Sequence, residues 1–233
     1  MRFDKQLAIE CAETINALYR GELSPTINER STDTQVLIQW TGNRALVVFP
    51  GTASFRDGLT DVRAAKATWN TDKRAHAGFV AAFRSVDEQL RERLIEQRTP
   101  DELIVTGHSL GGALATLAAH AWSGTFILHP NAVYTFGSPR VGNGPFQRSY
   151  DAALHDATFR VVNEGDPVSR VPWMLGTYRH VGTRVFLPKS GPLEIDAPFW
   201  RGMLPEATEL NGHRFISVAP HHITEYLRRL KTA

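Results

Sequence analysis

Apolar residues recur every three or four positions in three stretches of the chain, which is the spacing of a helix that buries one face. The first stretch predicts a helix that ends near Gly21, and the second predicts a helix from Phe79 to about Arg98. The third stretch predicts a helix that closes the sequence. Its predicted buried face consists of Ile223, Tyr226, Leu227 and Leu230.

Short apolar runs between these helices have the length and composition of β-strands. Residues 34–40 and 44–49 are separated by Thr-Gly-Asn, which predicts a hairpin, and an Ala- and Leu-rich stretch over 110–121 predicts a further helix. Additional strands are predicted at 102–106, 132–136 and 158–162. Because helices and strands alternate, we expect an α/β fold, with a mainly parallel central sheet, helices on both faces, and ligands at the carboxyl ends of the strands.

The composition is that of an ordinary globular protein. The chain has 233 residues, 42% of them hydrophobic, and it shows neither repeats nor linkers, so we expect one domain over residues 1–233. The net charge of +2 is spread along the chain, which gives nucleic-acid binding no support. Cys11 is the only cysteine, so a disulfide within the chain is excluded.

Acidic and amide side chains interrupt every apolar stretch before Gly21, so the sequence shows no secretory signal. No stretch reaches the length of about 18 apolar residues that predicts a transmembrane segment. Cytoplasmic residence is therefore the expectation. A signal removed from the sequence, or export by another route, would give the same pattern.

Residues 107–111 read Gly-His-Ser-Leu-Gly and lie between a predicted strand and a predicted helix. In that context the motif predicts a nucleophile elbow, a sharp turn that presents the serine hydroxyl and needs glycines because strand and helix approach closely. Ser109 is therefore the candidate nucleophile. The backbone N–H of Leu110, at the start of the helix, is a candidate oxyanion donor. The alternative is a simple tight turn in which Ser109 caps the helix.

A serine nucleophile needs a base and an acid that orients the base, and in folds with this elbow the chain order is Ser, acid, His. The turn after the strand at 158–162 carries Glu164 and Asp166 at the expected edge of the sheet. Asp166 is the better candidate, because its side chain is short and Pro167 restrains its backbone. Glu164 is expected to be a solvated turn residue.

With these residues the chain resembles the class 3 lipases, a family of α/β-hydrolases with fungal, bacterial and plant members. The likeness extends to Val-Val-Phe-Pro-Gly-Thr-Ala-Ser at 47–54, Tyr-Thr-Phe-Gly-Ser-Pro-Arg at 134–140 and Arg-Val-Val-Asn-Glu-Gly-Asp-Pro-Val at 160–168. The resemblance implies the α/β-hydrolase fold, and it makes Thr52 the second oxyanion donor.

The resemblance also bears on two adjacent histidines. Bacterial and plant members have His, four intervening residues, then Tyr and Leu, which matches His221 followed by Tyr226 and Leu227. We therefore expect His221 to be the base and His222 to line the pocket or cap the last helix. The shorter spacing of fungal members keeps His222 as the alternative.

Ser109, His221 and Asp166, with oxyanion donors at Thr52 and Leu110, predict an enzyme that cleaves carboxylic esters through an acyl-enzyme intermediate. This chemistry needs no cofactor, and no metal is expected. The resemblance implies a lipid or small-molecule ester as substrate, with transient contact to a lipid surface.

Other functions stay open within and outside that family. A phospholipase A1 or a feruloyl-type esterase would use the same side chains, and an inactive hydrolase fold that binds lipid is the alternative from another class. Fungal members carry a lid where this chain has residues 54–69, a segment with many charges. That composition predicts a preference for short to medium acyl chains and weak activation at an oil–water interface.

Overall fold

The computed structural model describes residues 2–51, 65–97, 99–172, 177–198, 201, 207–210 and 213–233. Within them lie five α-helices: α1 (Lys5–Tyr19), α2 (Ala77–Gln97), α3 (Leu110–Trp122), α4 (Gly144–Leu154) and α5 (Ile223–Thr232). The strands of the same residues are β1 (Ile27–Glu29), β2 (Thr34–Thr41), β3 (Arg44–Phe49), β4 (Lys66–Asn70), β5 (Lys73–His76), β6 (Glu102–His108), β7 (Ala132–Phe136), β8 (Thr158–Asn163), β9 (Thr183–Leu187), β10 (Glu194–Ile195), β11 (Ala207–Leu210) and β12 (His213–Ile216).

Eight of these strands form the central sheet, in the order β1-β2-β3-β6-β7-β8-β9-β10. Neighbouring strands from β3 through β9 run parallel, and antiparallel pairs occur only towards the two edges of this sheet. The prediction of a mainly parallel sheet is confirmed. Its parallel strands all point their carboxyl ends to one edge, where the site lies.

Both faces of the sheet are buried, as the nearly continuous apolar runs of the strands require. Alternate residues of β3 point to opposite sides. Val47 packs in a cluster with side chains of α2, α3 and α4, whereas Leu46 and Val48 pack in a second cluster with α1 and α5. The prediction of helices on both faces is thereby confirmed.

Some elements of the fold have too weak an apolar pattern to be predicted from the sequence. The helix α4 is one of them, and it starts where the Asn143 side chain accepts the Phe146 N–H and a proline occupies its first turn. The stretch 187–218, for which the sequence predicts no element, contains β10 and the β11–β12 hairpin. Of the lid segment at 54–69, residues 54–64 lie outside the described residues. No helix of the described part of the chain is long and apolar enough to cross a membrane.

Candidate active site

Ser109 occupies a sharp turn between β6 and α3. Its backbone has φ 59° and ψ −128°, a region that costs energy for any residue with a side chain. The glycines around it are sterically required: a Cβ on Gly107 would lie 2.2 Å from the Gly111 oxygen, and one on Gly111 would lie 2.0 Å from the Phe49 oxygen. The nucleophile elbow expected from the motif is thus present.

Three polar side chains that are far apart in the sequence meet at this turn. The Ser109 hydroxyl lies 2.8 Å from Nε2 of His221, and Nδ1 of His221 lies 3.0 Å from Oδ2 of Asp166. Asp166 follows β8, and His221 precedes α5. All three are buried, with 1%, 3% and 0% of their surfaces exposed in the order Ser109, His221, Asp166. This arrangement lets an imidazole accept the serine proton while a carboxylate holds the other ring nitrogen.

The Asp166 carboxylate has further partners that fix its orientation. Its Oδ1 accepts the backbone N–H of Val168 at 2.8 Å, and its Oδ2 accepts the hydroxyl of Tyr226 at 2.6 Å. Burial, followed by the charge of Asp166, raises the pKa of Tyr226 above its usual range, so the phenol keeps its proton and acts as a donor. Helical spacing predicted that Tyr226 is buried but gave no signal that its hydroxyl reaches the acid.

The alternatives for acid and base lie elsewhere. Glu164 accepts the backbone N–H of Lys189 at 3.0 Å through its carboxylate, away from His221. His222 is exposed and occupies the N-cap position of α5, where its side chain makes no capping hydrogen bond. The structure therefore brings His221, and not His222, to Ser109.

The candidate oxyanion donors are Leu110, at the start of α3, and Thr52. Leu110 is the first residue of α3, so its N–H has no acceptor within the helix and lies beside Ser109. Thr52 lies outside the described residues, but Gly51 does not. A Cβ on Gly51 would lie 2.9 Å from Cβ of Ser109, so the segment that leads to Thr52 passes directly beside the nucleophile.

Gly137, the residue directly after β7, lies against the side chains of Asp166 and His221. Its φ is +58°, and a Cβ there would lie 2.7 Å from Oδ2 of Asp166 and 2.8 Å from Nδ1 of His221. The sequence placed this glycine in a segment shared with the lipases without giving it a role. The need for glycine at this position comes from its closeness to Asp166 and His221, which are distant in the sequence, so no local sequence pattern could predict it.

His108 contacts the base and Tyr19 contacts His108, and neither residue was predicted from the sequence to belong to the site. The ring of His108 stacks on that of His221, with centroids 4.6 Å apart and planes at 28°. The hydroxyl of Tyr19, at the end of α1, lies 2.8 Å from Nδ1 of His108. Tyr19 could not be found from the sequence, because α1 and the elbow are distant along the chain. In the described part of the chain, no group of three His, Cys, Asp or Glu side chains is placed to hold a metal ion.

An α/β-hydrolase fold with a buried Ser–His–Asp cluster at a nucleophile elbow defines the structural class. The chain belongs to the class 3 lipases, since the family described as "Lipase (class 3)" matches residues 46–175, more than half of the chain. The prediction of that family is confirmed.

Individual relatives give the same picture. The secreted mono- and diacylglycerol lipase 1 of Fusarium solani is 38% identical over 124 residues, which cover 52% of this chain and 36% of that protein. The lipase of Rhizopus niveus is 31% identical over 197 residues, or 80% of this chain and 50% of that one. The chain thus spans half or less of these curated relatives. The solved structure of Rhizomucor miehei triacylglyceride lipase superimposes with a TM-score of 0.74 over 92% of this chain and 89% of that one, and at 21% identity it shows the shared fold.

The expectation of cytoplasmic residence is wrong. The Fusarium solani relative that matches this chain is named as a secreted protein, which contradicts that expectation. The reason for the error is structural: the opening segment is the helix α1, whose Ala8, Cys11 and Ile15 are buried in the core. The segment therefore belongs to the domain and carries no information about where the protein acts.

Proposed function

We propose that this chain is a serine hydrolase that cleaves the carboxylic ester bonds of lipids. The observation that carries the proposal is the continuous hydrogen-bond path from the Ser109 hydroxyl through His221 to Asp166. The names of the relatives, a mono- and diacylglycerol lipase and a lipase, support lipid esters as the substrate class.

The reaction follows from this geometry. The Ser109 oxygen attacks the ester carbonyl as its proton moves to Nε2 of His221, and the carbonyl oxygen becomes an oxyanion. His221 then gives the proton to the departing alcohol oxygen, which leaves an acyl group on Ser109. Water, with His221 again as base, attacks the acyl group, and the fatty acid and free Ser109 are released.

Asp166 remains a carboxylate throughout. It holds the His221 proton on Nδ1, so that Nε2 is free to accept, and it stabilises the imidazolium that forms in the transition state. The oxyanion would be bound by the backbone N–H of Leu110 together with Thr52. Thr52 stays a prediction from the resemblance, as does the single domain over residues 1–233.

Transient contact with a lipid surface belongs to the same proposal. Long-chain esters reside in aggregates, so the enzyme must approach them there. Val218, three residues before the base, is 50% exposed and lies on the chain segment that enters the site. Its apolar side chain would be accommodated by such a surface.

A panel of p-nitrophenyl esters from acetate to palmitate tests the proposal, together with emulsified triolein and phosphatidylcholine vesicles. We expect hydrolysis of the esters, faster on short and medium chains, without a sharp increase in rate once the substrate exceeds its solubility. A folded protein that hydrolyses none of these substrates would contradict the proposed function. A steep rise on emulsified triolein would refute only the expectation of weak interfacial activation, and fatty-acid release confined to the vesicles would indicate a phospholipase.

A further inference from the structure

The hydroxyl of Tyr19 bridges the segment beside the nucleophile and the elbow. The backbone N–H of Gly51 donates to this hydroxyl at 2.6 Å, and the same oxygen lies 2.8 Å from Nδ1 of His108. The rings of Tyr19 and His108 meet edge to face, with centroids 5.6 Å apart. The last residue of α1 is thereby joined to the residue before Thr52 and to the residue before Ser109.

His108 continues this connection to the base. Its Nε2 lies 2.7 Å from the backbone oxygen of His221, and its ring stacks on the His221 ring. The side chain is fully buried. His108 therefore holds His221 both through the ring face and through the main chain.

The direction of these hydrogen bonds can be assigned from their partners. Nε2 of His108 faces a carbonyl oxygen, so it carries the hydrogen, and in the neutral ring Nδ1 is then an acceptor. The Tyr19 hydroxyl donates to that acceptor and receives the N–H of Gly51 on its lone pair. The three hydrogen bonds therefore all point the same way, from the N–H of Gly51 through Tyr19 and His108 to the carbonyl of His221. In such a chain each hydrogen bond polarises and strengthens the next.

We propose that Tyr19 and His108 are positioning residues. They hold Gly51, which directly precedes Thr52, and the base His221 in place beside Ser109. The inference rests on the proposed function. One end of the path is Gly51, which lies against Ser109 and directly precedes Thr52, and the other end is the main chain of the base itself. A displacement of about 1 Å at either end is sufficient to lower turnover by about 100-fold.

A purely structural hydrogen bond would behave differently. Its loss would lower the stability of the fold and leave the turnover of each folded molecule unchanged. Tyr150 offers a matched control, because its buried hydroxyl lies 2.9 Å from Oγ1 of Thr158, at the start of β8 and away from the site. Tyr19→Phe and Tyr150→Phe each remove one phenol oxygen and nothing else.

The test measures kcat, KM and inhibition by n-butylboronic acid, which forms a tetrahedral adduct with the nucleophile and places an oxygen where the oxyanion would lie. For Tyr19→Phe we expect kcat to fall by about 10- to 100-fold, KM to stay within about threefold, and the inhibition constant to rise by a factor similar to the loss in kcat. For Tyr150→Phe all three stay within about twofold. Thermal unfolding verifies that both variants are folded at the assay temperature.

A second variant tests the path itself. His108→Phe keeps an aromatic ring against His221 and removes both ring nitrogens. If Tyr19 and His108 act through one path, the double variant loses no more than about threefold beyond the worse single variant, whereas independent effects multiply. Should Tyr19→Phe fail to fold, His108→Phe with the boronic acid carries the same test.

The outcomes separate the two proposals. Wild-type protein that hydrolyses no ester would contradict the proposed function before any variant is compared. If the wild-type protein is active, three results would each overturn the positioning role and leave the proposed function standing. Tyr19→Phe could be no more impaired than Tyr150→Phe, or it could show a rise in KM alone. The losses of the two single variants could also multiply in the double variant.

Discussion

The hydroxyl of Tyr226 donates a 2.6 Å hydrogen bond to Oδ2 of Asp166, the carboxylate oxygen that also faces Nδ1 of His221 at 3.0 Å. The same hydroxyl accepts the backbone N–H of Asn163, the last residue of β8, at 3.2 Å. The helix α5 thus follows the base directly and also supplies a partner for the acid. The packing of α5 and the orientation of Asp166 and His221 therefore depend on each other.

Tyr226→Phe tests that dependence. Removal of a hydrogen bond to a buried carboxylate costs about 1.5–3 kcal/mol, and Asp166 would keep the partners at Val168 and His221. We expect the free energy of unfolding to fall by that amount and kcat to fall by about tenfold with little change in KM. Urea unfolding and ester kinetics check this, with Tyr150→Phe as the control. A loss of stability without any loss of kcat would show that the hydroxyl does not orient the acid.

Gly137→Ala should disable the site through a single methyl group. The new Cβ would meet Asp166 and His221 at 2.7 and 2.8 Å, so one of these side chains must move. Gly42 is the matched control, because its φ of +60° equals that of Gly137 within 2° and nothing lies within 4 Å of its Cβ position. We expect a loss of kcat of at least about 100-fold for Gly137→Ala and less than about twofold for Gly42→Ala. Equal activity in the two variants would contradict the contact.

The roles of the two adjacent histidines can be separated by His221→Ala and His222→Ala. His221 contacts Ser109 and Asp166, whereas His222 is exposed at the start of α5. We expect kcat/KM to fall by at least about 10³-fold for His221→Ala and by less than about tenfold for His222→Ala. The reverse ranking would show that His222 is the base.

The sheet and the cluster at the elbow could largely be predicted from the sequence because their signals are local. The hairpin of β2 and β3 follows from two β-rich runs around Thr-Gly-Asn, and Ser109 and Asp166 follow from motifs at strand ends. The strand sequences also predict that both faces of the sheet are buried, since parallel strands covered on both faces are apolar throughout. The assignment of His221 needed family spacing, because its neighbour is also a histidine.

What could not be predicted are contacts made between distant parts of the chain. Tyr19, Gly137 and the hydroxyl of Tyr226 reach the site from α1, from the end of β7 and from α5. Helical periodicity predicts which face of a helix is buried, but it does not predict which group the end of a buried side chain contacts. The β11–β12 hairpin was missed for a related reason: its strands pair with each other, outside the central sheet, and show no long apolar run.

Acid should weaken the attachment of the β4–β5 hairpin through His120. Nε1–H of Trp69, on β4, donates to Nδ1 of His120 at 2.8 Å, which requires that nitrogen to be unprotonated. Burial, and then the charge of Lys73, lowers the pKa of His120 from 6.5 to about 4. The unfolded chain therefore binds a proton that the folded chain does not between these values. Stability from this group is present above pH 6.5 and is lost as the pH falls towards 4.

The shift of His120 corresponds to about 3 kcal/mol if the group were fully buried, and its partial exposure reduces the expected effect to about 1–2 kcal/mol. Comparison of wild-type protein with His120→Gln, which cannot titrate, isolates this contribution. We expect the difference in unfolding free energy between the two proteins to shrink by about 1–2 kcal/mol from pH 7 to pH 4.5. Urea unfolding followed by tryptophan fluorescence measures it. A difference that stays constant over that range would contradict the role of His120.

Turnover of a soluble ester, such as p-nitrophenyl butyrate, by Ser109→Ala is the most direct test of the proposed ester hydrolysis. Ser123→Ala, at the opposite end of α3, serves as the control, since its hydroxyl donates to the backbone oxygen of His120 at the end of that helix. With Ser109 as the nucleophile, we expect kcat to fall by about 10⁴-fold or more in Ser109→Ala and to stay near the wild-type value in Ser123→Ala, with both variants folded. Retention of a tenth of the wild-type activity by Ser109→Ala would show that Ser109 is not the nucleophile.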